Sequence, residues 1–108
     1  MICLFFITHA QAASESWSVG GIYYEFGVIA PRGYLLNESC VKTPDSCQAG
    51  RKAKEPPKPM VIEPGGKNPG SNGCLKAGGY VVIGKNTSQE TQGFCVFPDK
   101  SMASIDAF

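Results

Sequence analysis

The chain has 108 residues, among them 13 glycines, 8 prolines and 5 cysteines, and a formal net charge of +1. So even a balance excludes bulk electrostatic attraction to nucleic acid or to an anionic membrane. The glycine and proline content sets helix low, and a domain of this size buries a limited core, so covalent staples are expected.

Residues 1–12 read as a secretory signal. Ile2 to Ile7 is apolar, and Ala10-Gln11-Ala12 is a small-x-small cleavage site. The apolar run is short and no Lys or Arg precedes it; a start site further upstream would account for both. The competing reading is a buried N-terminal strand. Cleavage after Ala12 removes Cys3 and His9, the sole histidine, and leaves Cys40, Cys47, Cys74 and Cys95. A mature chain without imidazole has no Ser-His-Asp or Cys-His catalysis and few routes to catalytic zinc. An even number of cysteines in a short exported chain implies disulfides, hence a periplasmic or secreted location.

Residues 13–50 form an N-terminal hairpin segment. Ser14 to Ser18 is a polar lead-in around Trp17. In Ile22 to Ile29 the residues Ile22, Tyr24, Phe26 and Val28 alternate with Tyr23, Glu25, Gly27 and Ile29, which is strand period. Pro31-Arg32-Gly33 is a turn, and Tyr34-Leu35-Leu36 is the return strand. The hairpin reads as core. A membrane-inserting hairpin is the sharper alternative, although the return strand is short for a span. Asn37 to Cys47 is a loop with turn chemistry at Pro44-Asp45.

Residues 51–67 are a Pro/Lys-rich linker, with Arg51, Lys52, Lys54 and Lys58 beside Pro56, Pro57 and Pro59. Such a segment is expected to be extended. Met60-Val61-Ile62 is an apolar island that would dock on a sheet.

Residues 68–108 hold a second hairpin. Tyr80-Val81-Val82-Ile83 is β-branched and aromatic, with Gly79 and Gly84 on its flanks, so it reads as a strand. Gly93 to Phe97 is its partner, ended by Pro98, which cannot continue a ladder. Cys74 precedes the first strand and Cys95 lies in the second. In the tail, Ile105 and Phe108 either pack as a short helical turn or fray.

Four cysteines allow three connectivities. Local proximity favours Cys40–Cys47 and Cys74–Cys95; the second closes a loop of about 20 residues, worth roughly 3 kcal/mol in the chain-entropy model. Zinc is the rival reading, but neither pair has CxxC spacing. No cofactor or metal site is expected.

Asn68-Pro69, Cys74, Gly78-Gly79, Gly93-x-Cys95-x-Phe97-Pro98-Asp99 together resemble a small bacterial domain family of unknown function that carries the label "hemolysin". The resemblance covers about residues 68–108. Its pattern is similar: an NP start, a cysteine, a glycine pair, a G-x-C segment and a PDG turn. This chain has Lys100 where the family has glycine, and Ala103 and Asp106 near the family's next cysteine and tryptophan. Two cysteines missing together imply that they pair with each other in the family, which leaves Cys74 and Cys95 as partners.

The sequence thus predicts a mainly β fold: a small disulfide-stapled β-hairpin domain with a Pro/Gly-rich linker and little helix. The scattered carboxylates form no legible catalytic set. The expected function is non-enzymatic binding to an envelope or extracellular protein, with no nucleic-acid partner. The alternative is membrane perturbation, which the family label implies and which would act at a membrane surface through Ile22 to Val28.

Overall fold

The computed structural model describes residues 14–30, 32–55 and 69–108. The expected leader, Met60-Val61-Ile62 with most of the linker, and Asn68 lie outside them.

Six antiparallel strands close into a barrel. They are β1 (Ser14–Val19), β2 (Ile22–Ile29), β3 (Tyr34–Asn37), β4 (Tyr80–Lys85), β5 (Thr91–Val96) and β6 (Met102–Ser104). Their order around the barrel is β1-β2-β3-β6-β5-β4. The fold is mainly β with few helices, as the sequence predicts. Strands from the segments on both sides of the linker enter the one barrel, joined where β3 meets β6 at Leu36 and Ala103.

The alternation in each strand sorts side chains onto two faces. Trp17, Val19, Phe26, Leu35, Phe94 and Met102 point inward and form one core, with Val28, Val82 and Val96 at its margin. Phe94 is its centre: its ring lies 5.6 Å from that of Trp17 and 4.7 Å from that of Phe26. Tyr34, Leu36, Cys95 and Ala103 point outward from β3, β5 and β6 into a second core. Three helices cover that side: α1 (Glu38–Val41), α2 (Gln48–Lys54) and α3 (Pro69–Ala77). They contribute Cys40, Ala49, Ala53 and Cys74 to the same cluster. The molecule is therefore a filled barrel with a helical layer on one side.

Four segments differ from the sequence expectation. Ser14 to Ser18 is strand β1, not a lead-in, because its serines alternate with Trp17 and Val19 and take the outer face. The loop after Asn37 contains α1 and a 3-10 turn over Pro44–Ser46. Gln48–Lys54, which includes the start of the expected extended linker, is helical. Ala49 and Ala53 lie one turn apart and both are buried, while Arg51, Lys52 and Lys54 sit in the last turn, where the helix dipole favours cations. The residues before Tyr80 form α3, with Pro69 at its first position, where a missing N–H costs nothing. The tail does not fray: β6 is followed by a 3-10 turn over Ile105–Ala107 that buries Ile105 and Ala107.

The hairpin between β1 and β2 is closed by Gly20 and Gly21 at φ 63° and 84°. A two-residue hairpin turn with both φ values positive matches the right-handed twist of its strands, and glycine adopts it without strain.

Candidate binding surface

The described residues singled out from the motif pattern come together, and most of them build the scaffold. Cys74 on α3 bonds to Cys95 on β5, with Cα atoms 5.5 Å apart, and both are fully buried. Cys40 bonds to Cys47, Cα to Cα 5.9 Å, and ties α1 to the start of α2. These are the two pairs that local proximity favours. Two disulfides belong to an oxidising environment.

Gly78 and Gly79 end α3. The Gly78 N–H donates to the Leu75 carbonyl and the Gly79 N–H to the Cys74 carbonyl. That is the Schellman arrangement, and Gly78 supplies its left-handed residue at φ 99°. Gly79 has a separate reason to lack a side chain. A Cβ there would run into Sγ of Cys95 and approach Sγ of Cys74 at 3.3 Å. Gly93 lies under Ile105, whose Cδ1 would sit 2.8 Å from an added Cβ. Phe97 is buried, its ring 5.6 Å from that of Phe108.

Pro98-Asp99 is a turn, and Asp99 has a partner within the chain. Its Oδ2 accepts the Gln48 N–H at 2.8 Å and its Oδ1 accepts the Ser101 N–H at 2.9 Å. The Ser101 hydroxyl donates to Asp99 and accepts the Ala49 N–H at 2.8 Å. Cys47, at the N-cap of α2, has no capping side chain, so Asp99 and Ser101 cap that helix from across the fold. Burial acts to raise the Asp99 pKa. The Gln48 N–H, the Ser101 hydroxyl and N–H and the Arg51 charge outweigh it, and the carboxyl lies below its ordinary range.

Arg32, in the predicted turn, closes the opposite end. Its guanidinium donates to the carbonyls of Ala53 at 2.8 Å and Ala107 at 2.7 Å and sits over the Tyr34 ring. A cation is thereby fixed at the last turn of α2. No pattern signalled this role, because the partners are backbone carbonyls far away in sequence.

The side of the barrel away from the helices is different. On β2, Ile22, Tyr23 and Tyr24 are consecutive and exposed, at 59%, 61% and 36%. On β4, Tyr80 and Ile83 are exposed as well. These two strands flank β1. Ile22 and Tyr24 share the inward face with Phe26 and pair with the buried Val19 and Trp17, yet they stay exposed themselves. A shallow, open cleft of about 290 Å³ lies on the same side. Glu15, Ser16, Trp17, Asn86 and Thr87 line it. Within it the Trp17 Nε1–H donates to Glu15 at 3.2 Å, and the Ser16 hydroxyl donates to Glu25.

Among the described residues no cluster of three or more His, Cys, Asp or Glu is placed to hold a metal ion, and no helix is long and apolar enough to cross a membrane. Compared with protein-family models, with curated proteins and with solved structures, the chain matches none.

Proposed function

We propose that the chain is an exported, disulfide-stapled barrel of the periplasm or the extracellular space, that it acts by binding an envelope or extracellular protein, and that it is not an enzyme. The observation that carries this reading is the run Ile22-Tyr23-Tyr24, exposed on the hairpin while the opposite side of the barrel is covered by helices. Tyrosine offers a rigid apolar body with a polar end, and it is enriched in binding surfaces. The disulfides support export. The missing imidazole in the chain after Ala12 and the use of Asp99 and Arg32 as structural groups both argue against catalysis. The test is chemical crosslinking in envelope extract with wild type and with a Tyr23→Ser, Tyr24→Ser pair. A discrete adduct lost in the double variant supports the reading; an adduct indifferent to both changes contradicts it.

Membrane perturbation is the second reading, and the same exposed tip favours it. Tyrosines at a hairpin tip suit the membrane interface. The resemblance to the hemolysin-labelled family gains support from Lys100, which has φ 70° where that family carries glycine. Within Ile22 to Val28 the exposed large side chains are Ile22, Tyr23 and Tyr24, since Phe26 is fully buried. Dye release from liposomes that falls with Ile22→Asp would favour this reading, and no release from oxidised, folded protein would remove it.

A further inference from the structure

β4 is fully paired with β5 through six residues, from Tyr80↔Val96 to Lys85↔Thr91. On its other side it meets β1 only at Ser18↔Lys85 and Val19↔Gly84. There β1 ends and turns away through Gly20 and Gly21 into β2, which lies beyond β1. Among the described residues, then, Tyr80 to Ile83 has no strand beside it on that edge. The turn does not crowd it, because a Cβ on Gly20 or Gly21 would meet nothing within 4 Å. In an antiparallel strand, alternate residues turn both N–H and C=O to the same side, so two of these four present unpaired backbone groups to that edge.

The devices that blunt an open edge are missing from these four residues: no charge, no proline and no left-handed kink. Their side chains are two β-branched valines, an isoleucine and a tyrosine, with Tyr80 56% and Ile83 62% exposed. This is the sequence type that pairs best across strands.

We infer that the Tyr80–Ile83 edge pairs antiparallel with the same edge of a second copy, joining two barrels through a continuous sheet. Unsatisfied backbone groups beside exposed β-branched residues select a strand as occupant. The edge carries no charge that would repel a copy of itself. Antiparallel pairing opposes residues that share a face, so a register centred on Val81 sets Tyr80 against Val82 and Ile83 against Gly79. Lys85 falls outside the paired span, and no two like charges meet. The two-fold contact is isologous and closes on itself, as in most soluble dimers. The inference stands apart from the binding proposed for Ile22 to Tyr24, which lies on β2.

Sedimentation of the purified, oxidised protein up to about 100 μM tests it. Wild type, Ile83→Lys, Tyr80→Lys and, as a control on the other strand, Tyr23→Lys are compared. All three positions are exposed, and formation of both disulfides checked by mass confirms folding. The expected result is a monomer–dimer equilibrium in wild type and in Tyr23→Lys, weakened at least tenfold by either β4 change. Amide exchange at Tyr80–Ile83 should slow as concentration rises. A monomer at every concentration overturns the inference, whether or not the edge takes a strand from another protein. So does a dimer that the β4 variants leave intact, or one that Tyr23→Lys breaks.

Discussion

Asp99 shows how a motif residue serves the fold. It binds the exposed N-terminus of a helix of seven residues that has no cap of its own. Replacing it by Ala removes acceptors from the Gln48 and Ser101 N–H groups and should cost about 1 kcal/mol, the usual worth of a cap. The pH dependence follows from the lowered pKa. A carboxylate held below its unfolded value contributes stability above that value, and loses it as pH falls through the folded pKa. The Asp99 contribution should be complete at neutral pH, begin to fall near the ordinary carboxylate pKa of about 4 and be lost as pH drops through the lowered folded pKa. Urea denaturation of wild type and Asp99→Asn at pH 7 and pH 3 checks this: the stability difference between the two should be smaller at the lower pH. Lys100 gives a change of opposite sign. It holds φ 70° and its N–H bonds the Phe97 carbonyl at 2.8 Å. Lys100→Gly relieves a left-handed side chain, worth about 1–2 kcal/mol, against about 0.4–1 kcal/mol for the freedom glycine adds to the unfolded chain, so a small net rise in the urea midpoint is expected. None of this was legible in order alone. Pro98-Asp99 announces a turn, but nothing in the sequence says that Gln48 lies beside it.

At the scale of elements, strand β2 is legible from its alternation at the strand period, and β4 and β5 from short β-branched and aromatic runs bounded by glycine and proline. β1 was missed because serine hid the alternation, although Trp17 and Val19 carry it. The helices were missed for another reason. α3 contains Gly70 and Gly73, and its sequence has little helix propensity; the Cys74–Cys95 bond and the outer core hold it. That makes the disulfides unequal in what they secure. Replacing Cys74 and Cys95 by Ala should cost about 3 kcal/mol by chain entropy and release α3 from β5. Replacing Cys40 and Cys47 should cost about 2.5 kcal/mol for the shorter loop and loosen only α1 and the turn after it. Hydrogen exchange separates the two: the first variant should lose protection across Pro69–Ala77, and the second should keep it. Equal loss in both would show that the outer core, not the bond, places α3.

Over the whole molecule, hairpin content and both disulfides could be read from the chain, while closure could not. Two hairpins from opposite sides of a linker form one barrel because β3 and β6 meet through a single residue pair and β1 and β4 through two. Neither contact has a local sequence signal. Closure is also what gives the protein two unlike sides. One side buries its outward residues under helices. The other leaves Ile22, Tyr23 and Tyr24 in solvent, although period alone puts Ile22 and Tyr24 on the apolar face with Phe26. The periodicity reports which face a residue takes, but not whether other side chains cover it there: Trp17 and Val19 are buried while their partners Tyr24 and Ile22 are not.

Binding as proposed falls on this helix-free side. A photoreactive phenylalanine analogue in place of Tyr23, and in a second version in place of Lys52 on α2, tests it directly in intact envelope. A discrete protein adduct is expected at position 23 and none at position 52. An adduct confined to position 52, or none at either, would contradict it.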